Sequence, residues 1–245
     1  MTETQISTPK ADRRNLVRFT VPGGAVREIE VRYALNGGYA GRDTAQVQHH
    51  VDELAALGVP APTRVPTLYP LSSNLVSQAE TVQVPHARTS GEAEWALVVG
   101  EDADDLLLTV ACDHTDRALE VHGVAWSKQS APDLLGDFAW PLADIADELD
   151  AFTLKAWVRH GSADQNEERL VQDGTLAQLL PPSYWVEQLR EHGLLRPGTV
   201  VLSGTIPMID GVDQFADGWR VELTDPRGTT SRVGYTVERL PEAWD

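Results

Sequence analysis

Two long apolar runs joined by a short acidic turn constrain this chain more than any other feature. "SGEAEWALVVG" covers 90–100, "LLLTVACDHTDR" covers 106–117, and "EDADD" separates them. Short apolar runs bounded by turn residues predict buried strands. They predict two strands separated by an acidic turn.

The rest of the chain agrees with a sheet-rich molecule. Alternating stretches flank Gly23-Gly24, a hairpin signal. "FTLKAWVRHG" at 152–161 and "GTVVLSGTIPM" at 198–208 read as strands, the second running into a loop. "GWRVELTDPRGTTSRVGYTVE" predicts a closing hairpin around 225–228. Three helices are expected. In the first, Asp43 caps, Val47, Val51 and Leu54 form an apolar stripe, and Gly58 and Pro60 end it. A short one lies in 141–150. The third lies in 181–193, with Ser183 as cap and Gly193 as stop. The proline-punctuated stretch 61–74 reads as loop.

Strands outnumber helices and do not alternate regularly with them. That argues against a doubly wound parallel sheet and predicts one α+β, β-rich domain over 16–245. Residues 1–15 read as a flexible polar lead-in. The net charge of −17 disfavours nucleic acid and anionic lipid as partners. No apolar run approaches the ~20 residues of a membrane span. One cysteine, Cys112, allows no intrachain disulfide, and its place beside Asp113 suggests packing. A cytoplasmic protein is the expectation.

Acids stand at the start of one of these expected buried strands and at the end of the other. Residues two apart on a strand face the same side, so Glu92 and Glu94 point together. Either they form a solvated strand edge or they share a hard divalent cation, which removes their repulsion. Asp113, ending the second apolar run, supplies a third carboxylate. Three such ligands leave positions open for water and substrate. His114, its neighbour, points the opposite way and belongs at best behind the site or at the surface. On the first helix, His50 lies on the side of the apolar stripe and three residues from Glu53. A carboxylate beside an imidazole can make it a general base. His49, four residues from Glu53, competes from the other side of the stripe. His50 is preferred.

These residues resemble the fumarylacetoacetate hydrolase superfamily. The matching pieces occur in order. Glu92-Ala93-Glu94 precedes apolar residues and Gly100, and Asp113-His114-Thr115-Asp116-Arg117 follows. His50 to Glu53, Lys128, "VQDGT" at 171–175 and Ser203-Gly204-Thr205-Ile206-Pro207 complete the set. The resemblance implies a mixed β-sandwich roll of that family's C-terminal type. It implies Mg2+ or Mn2+ on Glu92, Glu94 and Asp113, and a homodimer. The implied activity is hydrolysis of a C–C bond in a small 2-oxo or 1,3-dicarbonyl acid, of acylpyruvate or fumarylacetoacetate type. A lyase or isomerase on a 2-oxo or 2-hydroxy acid is the alternative.

The implied roles are as follows. His50 and Glu53 activate water, and Lys128 holds an enolate or oxyanion unless it is a surface loop lysine. Arg117 grips a substrate carboxylate or serves as a structural bridge. Gly204 and Thr205 offer N–H and hydroxyl groups to substrate, or merely turn the chain. Tyr69, implied as a substrate-binding residue, stands where many members have an aromatic ahead of the metal strand, but the lysine that usually follows is absent from Tyr69-Pro70-Leu71. Glu120 stands where many members have glutamine. The stretch between Glu94 and Asp113 is shorter than usual.

Overall fold

The computed structural model describes residues 14–56, 58–161 and 167–242, without the side chains of His50 and Leu54. Most of the expected lead-in, residues 1–13, lies outside the described residues. The first half contributes strands β1 Leu16–Thr20, β2 Val26–Glu30, β3 Tyr33–Gly38, β4 Thr67–Leu71, β5 Val76–Ser77, β6 Thr81–Val84, β7 Thr89–Val99 and β8 Leu106–Asp116. The second half adds β9 Asp133–Pro141, β10 Thr153–Arg159, β11 Glu168–Thr175, β12 Thr199–Leu202, β13 Gly218–Thr224 and β14 Thr230–Arg239. The helices are α1 Thr44–Ala56, α2 Arg117–Glu120, α3 Val124–Lys128, α4 Leu142–Ile145 and α5 Pro182–Glu191.

The strands form two mixed sheets, an α+β arrangement dominated by strand. The larger runs β2-β1-β9-β8-β7-β12-β3-β4, with β5 added to β9. The smaller runs β11-β10-β13-β14-β6. At the centre of the larger sheet, β7 and β8 pair antiparallel from Thr89 opposite Asp116 to Val99 opposite Leu106. Their turn is closed by Gly100 N–H donating to Asp105 O at 2.7 Å.

Alternation along this hairpin creates two cores. Ala93, Trp95, Leu97, Leu108, Val110 and Cys112 pack toward the smaller sheet, against Leu154, Val158, Val221 and Val233. Ala96, Val98, Leu107 and Ala111 belong to a second cluster with Val17, Leu71, Leu135 and Val200. Val17 comes from near one end of the larger sheet and Leu71 from the other. The sheet therefore curls until its own inner face encloses that cluster. Each large side chain so buried contributes about 1.5–3 kcal/mol relative to exposure.

Some elements depart from the sequence reading. Residues 67–71, expected as loop, form β4. It is the outermost strand and pairs with β3, placing Pro70 opposite Leu35. An edge strand tolerates a residue with no N–H. In α5, Ser183 lies inside the helix, which starts at Pro182, a favoured first position. The short helix expected in 141–150 is one turn, followed by a 3-10 turn at Leu149–Ala151. Asp43 does cap α1, its Oδ1 accepting from Ala45 N and Gln46 N at 2.9 and 3.2 Å. No helix among the described residues is long and apolar enough to cross a membrane.

Candidate metal centre and cavity

The inward alternation of the curled sheet ends in polar residues. Beyond Ala34 comes Asn36, before Ala96 comes Glu94, beyond Ala111 comes Asp113, and before Leu135 comes Asp133. All four are 0% exposed. Glu92, two residues further along β7, stands directly opposite Asp113, and Asp113 stands opposite Asp133. One end of an apolar interior is thus capped by a row of carboxylates across three strands. Trp95 faces the other side, into the inter-sheet core.

Glu92, Glu94 and Asp113 can each offer an oxygen such that all three atoms lie within 4.8 Å of one another. Glu94 Oε2 accepts from Gly204 N at 2.9 Å, while its buried Oε1 has no partner among the described residues. Gly204 has φ +83°, and a Cβ there would meet Gly37 O at 2.9 Å, so only glycine brings this N–H onto Glu94. Asp113 accepts from Asn36 Nδ2 and Thr115 Oγ1, each at 3.1 Å, and from Lys128 Nζ. Lys128 also reaches Glu92 Oε2 at 3.2 Å, bridging two of the three acids.

Burial sets these protonation equilibria, and the cations modify them. Burial would raise Glu92, but Arg117 and Lys128 outweigh it and hold the carboxyl at about 2. Glu94 is raised well above its ordinary value by burial, then by the charges of Asp113 and Glu92. Asp113 is raised mainly by burial despite Lys128. Burial opposes the charge on Lys128, yet Asp113, Glu92 and Glu94 raise it well above its ordinary value. A compact set of hard, crowded oxygens, one of them unpartnered, fits Mg2+ or Mn2+. The residues present therefore suit the ion.

Above this floor lies a cavity of about 610 Å³. Glu92, Lys128 and Arg117 line its base, Gly204 and Thr205 one wall, and His49 and Glu53 of α1 another. His49 Nδ1 is 3.5 Å from Glu53 Oε1. The side chain of His50 lies outside the described residues, so the histidine seen beside Glu53 is His49. Arg117 is held within the protein: Nε donates to Ser90 Oγ at 2.7 Å, Nη2 to Glu92 Oε1 at 2.7 Å, and Nη1 to both Glu120 oxygens at 3.3 Å. Thr205 Oγ1 donates to Ala93 O at 2.9 Å and accepts from Gln172 Nε2 at 2.8 Å. Tyr69 is not among the cavity-lining residues, although its ring packs under Gly38 and burial raises its phenol.

Lys128 is no loop residue; it closes α3 and is 5% exposed. His114 faces away from the acids as expected, but it is fully buried, bonded to Tyr235 Oη at 2.8 Å and Thr89 Oγ1 at 3.0 Å. Two residues escaped the sequence reading. Asp133 is buried with neither oxygen partnered among the described residues, and burial raises it well above its ordinary value. Tyr39 lines the cavity at φ +55°, its phenol pushed up to about 12 by burial. An acid after "SAP" and a tyrosine after Gly37-Gly38 were the available signals.

A search of curated proteins found no match. Solved structures of similar fold include fumarylpyruvate hydrolase from Pseudomonas aeruginosa in complex with Mn2+ and pyruvate. It is 17% identical over 97% of this chain and 100% of that one, with a TM-score of 0.60. Another is 2-keto-3-deoxy-D-arabinonate dehydratase with magnesium and 2,5-dioxopentanoate, 17% identical over 89% of this chain and 77% of that one, TM-score 0.60. A yeast fumarylacetoacetate hydrolase family protein is 17% identical over 88% and 96%, TM-score 0.57. The structural neighbours are thus proteins of the fumarylacetoacetate hydrolase family, whose fold this chain has. A family model described as protein of unknown function (DUF2848) matches residues 37–235, and the chain belongs to that family.

Proposed function

We propose that this protein is a divalent-metal-dependent hydrolase that cleaves a C–C bond in a small 2-oxo acid of the acylpyruvate type. One observation carries the reading: three clustered carboxylates, of which Glu92 lines the cavity and Glu94 and Asp113 lie buried behind it, stand beneath a wall that carries a histidine–glutamate pair. Relatives of this fold hold Mn2+ with pyruvate and magnesium with 2,5-dioxopentanoate, which supports a 2-oxo acid as ligand.

Glu92, Glu94 and Asp113 would hold the ion. When bound, it supplies chelation of the substrate's 2-oxo and carboxylate oxygens and stabilises negative charge there. The chain supplies the rest. His49, oriented by Glu53, takes a proton from water as the water oxygen adds to the distal carbonyl carbon. The bond from that carbon to the adjacent methylene then breaks, and its electron pair goes to the 2-oxo fragment. The His49 imidazolium returns the proton to that fragment's carbon. Lys128 Nζ offsets negative charge beside Glu92 and Asp113. Arg117 keeps Glu92 ionised and in place. The products are pyruvate and a carboxylic acid.

A dehydratase shares this fold, so loss of water from a 2-oxo acid is the competing reading. Acetylpyruvate separates them. With Mn2+ the purified protein should consume its dioxo absorbance and release pyruvate and acetate one to one, and chelator should stop the reaction. No pyruvate from any of a panel of acylpyruvates would exclude hydrolysis.

A further inference from the structure

Both cations lining the cavity are committed to the protein. Among the described residues, only Arg117 and Lys128 bring a permanent positive charge to its surface. Lys128 Nζ lies between Glu92 and Asp113. All three guanidinium nitrogens of Arg117 are hydrogen-bonded, and Glu120 takes the one that Glu92 and Ser90 do not. Arg117 and Glu120 sit three apart on the single turn of α2, so the pair is built into local geometry. Their side chains are 14% and 16% exposed, too covered for salt to screen strongly.

Above the floor, the wall is acidic or neutral. Asp43, Glu53 and Glu120 supply carboxylates, and Gln46, Gln178 and Tyr39 supply uncharged hydrogen-bonding groups. A 2-oxo acid chelated through its carboxylate end would send its other end toward this wall. A second carboxylate there would meet like charges with no permanent cation left to pair it. An uncharged end would meet amides and a phenol.

We propose that the cavity selects 2-oxo acids whose far end is uncharged, and that Glu120 is the specificity-determining residue. It does so by occupying Arg117 and by placing its own charge on the wall. The discrimination is repulsive: it excludes diacids rather than gripping one favoured tail. This rests on the proposed metal-chelated 2-oxo acid and narrows its class.

The test uses 2-oxoglutarate and its 5-methyl ester, which differ at the far carboxyl. Their dissociation constants are measured by calorimetry on the Mn2+-loaded protein, with oxalate as the reference for chelation alone. The ester should bind at least about tenfold more tightly than the diacid, the size expected for one nearby like charge. Glu120→Gln should shrink that ratio below about threefold by removing the charge from the wall and from the partner of Arg117 Nη1. If oxalate binds but the diacid matches or exceeds the ester, the inference falls while the metal reading stands. An unchanged ratio in Glu120→Gln removes Glu120 from the role. If oxalate and both ligands fail to bind in a Mn2+-dependent way, the metal reading falls and takes this inference with it.

Discussion

Asp113 has the densest set of partners at the candidate centre. It accepts from Asn36 and Thr115, is bridged by Lys128 to Glu92, and faces Asp133 across the neighbouring strand pair. An amide at this position keeps the shape and one accepting oxygen but removes the charge that an ion requires. Lys128 would then be balanced by Glu92 alone. Asp113→Asn should therefore fold, as judged by far-UV circular dichroism, yet bind Mn2+ at least about 100-fold more weakly, at or beyond the upper end for loss of a supporting group. Titration calorimetry on metal-free protein reads this directly. Wild-type affinity in the variant would remove Asp113 from the ligand set.

At the scale of elements, β7 and β8 were legible because a strand buried on both faces must be apolar throughout, and acids at its ends then stand out. Alternation put Glu92 and Glu94 on one side, Asp113 stood out at the end of an apolar run, and the family resemblance joined the three as a ligand set. Asp133 was not legible, because its place opposite Asp113 depends on a register shift between Thr109 and Ala111 where β8 meets β9. The burial of Lys128 was equally hidden: a short turn reads as loop until the acids that hold it are in view. Strand β4 was missed because its proline, Pro70, is a breaker everywhere except at a sheet edge. On α1 the apolar stripe ranks positions by packing and favours His50, whose side chain lies outside the described residues; the i,i+4 pairing of His49 with Glu53 is a separate criterion. That helix also carries a prediction. Asp43 caps it, and removing the cap costs about 1 kcal/mol. Since α1 bears the proposed base and the sheets bear the acids, Asp43→Ala should lower kcat by up to about fivefold. Mn2+ affinity should stay within twofold or so of wild type, because no ligand is on α1. Equal losses in both quantities would show that α1 does not act separately from the metal centre.

At the scale of the whole molecule, an ion would relieve a conflict that the fold itself creates. The chain carries a formal net charge of −17, which draws cations to it. It also places Glu94 and Asp113 where burial raises their pKa values. A carboxyl raised in the folded state binds protons that the unfolded chain has released. Its contribution to metal-free stability is therefore greatest at low pH and is lost as pH rises through the folded value. Glu92 runs the other way, held at about 2, and stays ionised across the working range. A divalent ion requires the unprotonated acids, so it must displace protons at low pH and fewer of them at high pH. At 100 times its dissociation constant a ligand stabilises the folded state by about 2.7 kcal/mol. For a chain of this size that corresponds to roughly 5–10 °C in Tm. Mn2+ at a fixed concentration should thus raise Tm by that order at pH 8 and by clearly less at pH 5.5. Scanning the metal-free and Mn2+-loaded protein at both values tests this. In Glu94→Gln the gain should collapse at both, since the variant keeps the buried shape of Glu94 but not its charge. A Tm gain independent of pH, or one retained by Glu94→Gln, would place the ion elsewhere than on the acids at the end of the curled sheet.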